Sequence, residues 1–496
     1  MESTHITLHP DFSISPVDPR IFGGFLEHLG RAVYQGIYQP DSRHADENGF
    51  RSDVLQALKA LRLTTMRYPG GNFSSGYHWM DGIGPKDQRP TLNDLAWASI
   101  EPNQFGTDEF LKLCRLMNWE PMLACNLGTG TPEEARNWVE YCNLPGGTKF
   151  ANLRVRNGSV DPSRVNLWCL GNEMDGPWQL GHVPAGQYAL RAQQAAKMMK
   201  DADPDIKFTV CGSCTVDLPT YLEWDKEVLD YVGDYADYIS LHRYAVNRGN
   251  LPDYLASIAG IDRQIEEVDA VCRFIQAKRK SHKRTYLSFD EWNVWYRTTG
   301  PEFTNGRGKF AAHLLEEEFD LSDALVVAGF LNSFIRHADS VKMASLAQVV
   351  NAIAPILTRG DDLLLQSTYY PLLMFANRRD GLAMQMRISG PNYPNDIYGN
   401  INYLDGSAIW NESTLHLFLI NRSLNEMSDA IVDFNAMIQS VESAEVLTAR
   451  QATSANSFEN PNEVCARSFD SIKVKNGRAE LTLPPLSFAA ITFQLF

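Results

Sequence analysis

Residues 121–134 read PMLACNLGTGTPEE, and this stretch decides the fold. Pro121 to Asn126 is an apolar run of strand length, Leu127 to Gly130 is a glycine-bearing loop, and Thr131 stands where a helix N-cap belongs. Pro132 suits the first helical position, and Glu133 and Glu134 complement the positive end of a helix dipole. From Glu133 to Cys142 apolar side chains recur at three-and-four spacing, which predicts an amphipathic helix. Strand, loop and helix in that order form the repeating unit of a parallel sheet.

The same unit recurs on both sides. Further strands are predicted at Ile21 to Phe25, Thr64 to Arg67, Asn166 to Leu170, Lys207 to Cys211, Tyr238 to Leu241, Thr285 to Phe289 and Val341 to Leu346. Helical patterns lie between them at Asp53 to Leu61, Asp108 to Met117, Ala185 to Asp201 and Asp262 to Lys278. Eight such units within residues 17–380 predict an α/β fold of the (β/α)8 TIM-barrel type.

After Arg379 the texture changes to short alternating segments, among them Leu415 to Ile420, Ala430 to Phe434, Val441 to Leu447, Ala479 to Leu483 and Ala489 to Leu495. Their spacing predicts a C-terminal all-β module over residues 381–496. The N-terminal THITLHP reads as one more strand, and residues 1–16 are expected to pair into that module.

Composition narrows the function. The 496 residues include 45 Lys+Arg against 60 Asp+Glu, a formal charge of −15, which opposes nucleic acid and anionic membrane surfaces as partners. The 8 cysteines are too sparse for a disulfide scaffold and suit a reducing compartment. The N-terminus has no basic segment followed by an apolar one, so the chain reads as cytoplasmic. The longest apolar run, around Ala324 to Leu331, reads as strand-like and falls far short of a membrane span.

In a parallel barrel the active site is built at the C-terminal ends of the strands. Those ends carry Glu27 and His28, Arg67 and the Gly70-Gly71-Asn72 turn, Asn126, Asn172-Glu173, His242 and Tyr244, Asp290-Glu291-Trp292, and Gln348. Glu173 and Glu291 dominate, because each stands where an apolar strand meets a loop. On strands four and seven they would face each other across the barrel mouth. Two carboxyls with different tasks are the core of glycoside hydrolysis, and a separation of roughly 5 Å would make it retaining. One strand-end glutamate alone is better read as a salt bridge or cap; two such sites flanked by Trp79, Trp97, Trp178, Trp292 and Trp295 favour a sugar site, with two or three of these rings expected at the sugar.

Other motifs weigh less. Cys211-Gly-Ser-Cys214 has redox-like spacing without a helix opening at its first cysteine, and Gly128-Thr-Gly130 has Glu133 where a dinucleotide fingerprint needs glycine. HExxH, Walker A and GxSxG sequences are missing. The reading therefore needs no cofactor and no metal.

The segments FGGFLEHLGRAVYQGIY (22–38), RYPGGNF (67–73), DLAWASIEPNQFGTDEF (94–110), NLGTGTPEEARNWVEYCN (126–143), LGNEMDGPWQLGH (170–182), YISLHRY (238–244), DEWNVWY (290–296) and LAQVVNAIAPI (346–356) together resemble the α-L-arabinofuranosidases of glycoside hydrolase family 51. The resemblance implies a barrel with a jelly-roll-like C-terminal sandwich and a retaining double displacement on terminal non-reducing arabinofuranosyl residues of arabinan, arabinoxylan or arabino-oligosaccharides. It implies Glu173 as acid/base and Glu291 as nucleophile. Glu27, Asn72, Asn172 and Gln348 would hold the sugar, with Asn172 at the 2-hydroxyl, and Tyr244 would orient the nucleophile. Trp97, Trp295 and His242 complete the expected substrate-binding set, and a homo-oligomer, a hexamer, is implied. The chain departs from the family pattern at the rim, in Ala245 to Gly249 and in Thr91-Leu92-Asn93, which leaves the aglycone preference open.

Two alternatives keep the same residues. A barrel hydrolase for another sugar, an endo-β-glucanase or β-xylosidase, would share the glutamate pair, but Glu27 and Asn72 would close a pocket too small for an open cleft. A carbohydrate-binding protein without turnover would have no need of both glutamates.

Overall fold

The computed structural model describes residues 3–496; Met1 and Glu2 lie outside the described residues, so the segment 1–16 is followed from residue 3. Eight parallel strands close into a barrel: strand one Gly23–Phe25, two Thr65–Tyr68, three Glu120–Ala124, four Leu167–Leu170, five Lys207–Val210, six Ala236–Ala245, seven Tyr286–Val294 and eight Val341–Ala347. Strand eight returns to strand one with Ser345 beside Gly23, and strand five meets strand six with Val210 beside Ile239. In the third unit Thr131 accepts a bond from the amide of Glu134, and Pro132 opens the helix Pro132–Asn143. Strands six and seven run further than the sequence predicts, carrying His242, Tyr244 and Glu291 on strand backbone whose register shifts between Ser240 and His242 and between Phe289 and Trp292.

One element corrects the sequence reading. Ala324 to Leu331 is not strand-like but part of the helix Leu321–Arg336, in which every residue from Leu321 to Ile335 is buried. A helix covered on all sides has no polar face, so its sequence lacks the periodicity that identifies exposed helices. Its cover is the barrel on one side and the β-module on the other. Asn332 and Arg336 reach Asp405 of the module at 3.2 Å each, and the Ser407 hydroxyl donates to Asn332 at 2.7 Å.

The module is two facing sheets of five and seven strands. Their inner faces share one apolar core, in which Ile6, Leu8 and Val432 meet Leu417, Leu419 and Phe493. The N-terminal segment supplies two strands, not one. Thr4–Leu8 lies parallel to Ser428–Phe434 in the smaller sheet, and Ser13–Pro16 pairs with Leu382–Met384 in the larger. A hairpin of the module, Asn392–Asn395 with Gly399–Asn402, leaves the sandwich and docks on the barrel. There the Tyr393 hydroxyl donates to the Pro252 carbonyl at 3.2 Å and the Asn395 amide to Asp253 at 2.7 Å. Among the described residues no helix is long and apolar enough to cross a membrane.

Candidate active site

A cavity of about 1100 Å³ opens at the C-terminal ends of the strands, and Glu27, Asn72, Trp97, Glu173, Tyr244 and Glu291 are on its wall. Strand four delivers Glu173 through a sharp turn. Gly171 at φ +93° and Glu173 at φ +43° both adopt left-handed backbone, a strained choice for a glutamate that turns its side chain over the barrel mouth. One carboxylate oxygen of Glu173 meets Nδ1 of His242 at 2.8 Å, and the other accepts the Trp178 indole N–H at 2.7 Å.

Strand seven delivers Asp290 and Glu291. The Arg67 guanidinium, itself buried, donates to Glu291 at 2.6 Å and to Asn172 at 2.6 Å, lies 3.3 Å from Asp290, and stacks over Phe25. The Tyr244 hydroxyl donates to the second Glu291 oxygen at 2.9 Å. Each Glu291 oxygen is therefore held by a donor of its own, which fixes the carboxylate for attack or charge stabilisation. The nearest oxygens of Glu173 and Glu291 and a nitrogen of His242 all lie within 4.8 Å of one another.

Glu27 is held on the opposite side. It accepts the Phe73 amide at 2.9 Å and the Trp97 indole at 3.1 Å, while Gln348 donates to its other oxygen at 3.2 Å and accepts its backbone N–H at 2.8 Å. Asn72 opens the short turn Asn72–Gly76 beside it and stands half-buried on the wall.

Burial and neighbouring charge push these groups apart. Burial, with the charge of Glu291 adding, raises Glu27 to about 8. Burial alone would depress His242, but Glu291, Asp290 and Glu173 outweigh it and raise the imidazole to about 10. Burial opposes ionisation of Glu173, yet the bonds from His242 and Trp178 hold its carboxyl below the usual value. Asp290 is held low against its burial by Arg67 and His242. The spacing of Glu173, His242 and Glu291 also resembles that of metal ligands. Within that cluster Nδ1 of His242 lies 2.8 Å from Glu173 and 3.6 Å from Glu291, and Arg67 donates to Glu291 at 2.6 Å.

The remaining sequence candidates divide. Trp97, Trp178 and Trp295 are on the cavity wall, whereas Trp79 and Trp292 pack in the core. Trp295 stands edge-on to Tyr244 with ring centroids 5.7 Å apart. Asn172 is not on the wall: it is 1% exposed, behind Glu173, with its carbonyl oxygen taken by Arg67 and its amide 3.4 Å from Gln179.

Comparisons with known proteins agree with this geometry. Profiles described as the α-L-arabinofuranosidase 1 domain and the α-L-arabinofuranosidase C-terminal domain match residues 57–258 and 290–487. The chain is 43% identical over 445 residues, 88% of each chain, to an intracellular exo-α-(1→5)-L-arabinofuranosidase of Acetivibrio thermocellus. It is 40% identical over 496 residues, 99% of each chain, to one of Bacillus subtilis. The chain belongs to glycoside hydrolase family 51. A solved family 51 α-L-arabinofuranosidase from Bifidobacterium longum superposes with a TM-score of 0.96 at 36% identity over 100% of both chains.

Within this family 51 protein, sequence reasoning passed over several working side chains. Arg67 appears among the strand-end residues without a role, because the 224 positions between it and Glu291 conceal their contact. Trp178 is legible as an aromatic five residues after Glu173, but not as the donor to its carboxylate. Ser240, two residues before His242, is 3.0 Å from that imidazole and donates to Asp290 at 2.5 Å. His28 lies deeper, 2.8 Å from the Tyr68 hydroxyl and 2.9 Å from Glu101. Cys211 and Cys214 are buried, unbridged thiols, and burial pushes Cys211 up to about 12 and Cys214 higher still. Neither is a reactive thiolate at neutral pH.

Proposed function

We propose that the protein is an exo-acting, retaining α-L-arabinofuranosidase that releases terminal non-reducing arabinofuranosyl residues from arabinan, arabinoxylan or their oligosaccharides. Glu291 attacks the anomeric carbon while Glu173 protonates the departing glycosidic oxygen, leaving an arabinosyl ester on Glu291. Glu173 then takes a proton from water, the water oxygen bonds to the anomeric carbon, and the ester bond breaks to return free Glu291. The observation that carries this reading is the carboxyl separation. Nearest oxygens within 4.8 Å of each other favour the close spacing that suits a covalent intermediate over the wider one that an inverting site needs for its water.

Tyr244 and Arg67 each donate to one oxygen of the nucleophile and keep it aimed. Glu27, protonated through much of the neutral range, offers a donor to a sugar hydroxyl, with Asn72 and Gln348 beside it. For Asn172 the 2-hydroxyl contact rests on the family resemblance alone, since its side chain stands off the cavity wall behind Glu173. Trp97 and Trp295 supply apolar faces to the ring.

Initial rates on aryl α-L-arabinofuranoside beside aryl β-D-xylopyranoside, β-D-glucopyranoside and a soluble β-glucan test the substrate. Proton NMR of the first-formed anomer tests retention. Hydrolysis of the arabinofuranoside with retained configuration is expected; preference for the glucan, or an inverted product, would overturn the reading. Residence in the cytoplasm is proposed with it, in line with the names of the relatives. A homo-oligomer, hexameric by resemblance, is proposed as well, and sedimentation velocity tests it.

A further inference from the structure

Beyond the two glutamates the cavity continues as an outer arm over strands five and six, where three arginines share the wall with Asp217, Asp253 and Glu267 but none of them is directly paired. Arg243, Arg248 and Arg263 line this arm, and among the described residues no carboxylate lies within 4.0 Å of any of the three. That is unusual in a chain of formal charge −15. Of the arm's own acids, Asp253 accepts the Asn395 amide at 2.7 Å and Glu267 the Tyr221 hydroxyl at 2.8 Å, neutral donors both, and Asp217 is the acid whose charge acts on Arg243.

Arg243 is the arginine that is built in. It lies between His242 and Tyr244 on strand six, and its guanidinium donates to the Gln264 side chain at 3.2 Å. Gly260 of the helix Ile258–Lys278 makes the seat: a Cβ there would meet Nη2 of Arg243 at 2.7 Å and the Tyr398 hydroxyl at 2.9 Å. A neutral amide and phenols thus surround a largely desolvated cation. Burial pulls it below the usual arginine value, which Tyr398, Tyr221 and Asp217 offset in part. A fixed cation in such a seat is costly unless an anion completes it, and a guanidinium is shaped for a carboxylate.

Tyr398 and its neighbour Ile397 come from the hairpin of the C-terminal module, so two domains build this wall. Ile397 at 58%, Trp178 at 52% and Val246 at 43% exposure give the same arm open apolar faces of the kind that sugar rings cover.

Resting on the arabinofuranosidase reading, we infer that this arm is the leaving-group subsite and that it accepts a carboxylate-bearing sugar, a uronate, with Arg243 pairing the carboxylate and Tyr398 beside it. Arabinofuranose linked to a uronate is then a better substrate than arabinofuranose linked to the same sugar with its carboxylate reduced to the alcohol.

The test is kcat/KM of the full chain on such a pair of disaccharides. The wild-type protein is expected to favour the uronate by about tenfold, the worth of one charge-assisted hydrogen bond. The preference should shrink as salt is raised. Arg243→Gln should bring the ratio close to one, Arg243→Lys should restore part of it, and Tyr398→Phe should lower it by a smaller factor, with melting temperatures confirming that all three fold. Equal rates on both substrates in wild type and Arg243→Gln would overturn the subsite and leave the arabinofuranosidase reading standing. A wild-type preference for the neutral partner would overturn it too and assign Arg243 to Asp217. Failure to cleave either disaccharide or an aryl arabinofuranoside would overturn both.

Discussion

Nδ1 of His242 lies 2.8 Å from Oε1 of Glu173, so an imidazole and a carboxyl meet directly over the barrel mouth. Glu291, Asp290 and Glu173 raise the imidazole to about 10 and His242 in turn holds the Glu173 carboxyl below its usual value, so each partner favours the charged form of the other. A leaving oxygen arriving at Glu173 therefore meets a carboxylate with a proton donor bonded to it, and transfer to the leaving group draws on the pair rather than on the glutamate alone.

Replacing His242 by Asn separates the pair. Glu173 then loses the imidazole that holds its carboxyl low, and its burial raises it, so it keeps its own proton to a higher pH than in the wild type. The pH optimum of kcat/KM is expected to move to the alkaline side, with the greater change on alkyl leaving groups than on nitrophenolate. An unchanged profile would show that His242 only packs.

The two glutamates should fail differently. Glu291→Ala is expected to abolish turnover on every substrate. Glu173→Ala should keep activity on good leaving groups, lose it on poor ones, and regain rate with azide, which needs no general base to attack the arabinosyl ester. Equal loss on all leaving groups without azide rescue would reverse or void the assignment.

Glu27 sets the next limit. Its carboxyl loses its proton near pH 8, and with it the donor offered to the sugar, so kcat/KM should fall on the alkaline side through a rise in KM. Glu27→Gln, which keeps a donor at all pH values, should lack that limb although its overall affinity is lower.

The same groups make stability pH-dependent. Glu27 goes from 4.5 to about 8 and His242 from 6.5 to about 10, so both bind their proton more tightly folded than unfolded. Their contribution is fully present below the unfolded values and is lost as pH rises through the folded ones, by up to about 1.4 kcal/mol per pH unit for each proton. Thermal scans from pH 6.5 to 10 should show a falling melting temperature, with a shallower fall in Glu27→Gln.

Arg67→Met should be among the most damaging changes outside the glutamates. It removes the one guanidinium that touches Asp290, Glu291 and Asn172 and leaves two buried carboxyls facing each other. The expected cost is about 3–5 kcal/mol, the range for breaking a buried ion pair. Denaturation should show the deficit growing with pH, as the stranded carboxyls ionise.

How far the sequence carries depends on the range of the force involved. All eight barrel strands are legible because an apolar run bounded by loop residues is a local pattern. Glu173 and Glu291 are legible because strand ends in a parallel barrel converge whatever the loops do. The helix Leu321–Arg336 is not legible as a helix, since its surroundings, not its own periodicity, bury it on every side. The second N-terminal strand, Ser13–Pro16, is too short and too polar to announce itself and exists through its pairing with Leu382–Met384.

What the sequence by itself determined is the order of units, the barrel, and which carboxyls reach its mouth, because local hydrophobic pattern and capping encode these. The tertiary structure decided the charge on those carboxyls. It set Arg67 against Glu291, His242 against Glu173 and Gln348 against Glu27, contacts spanning 224, 69 and 321 positions. It also brought Tyr398 of the second domain to Arg243 of the first. Desolvation and Coulomb forces act through space and not along the chain, so proton affinities and the shape of the outer arm come into being only when the two domains close on one cavity.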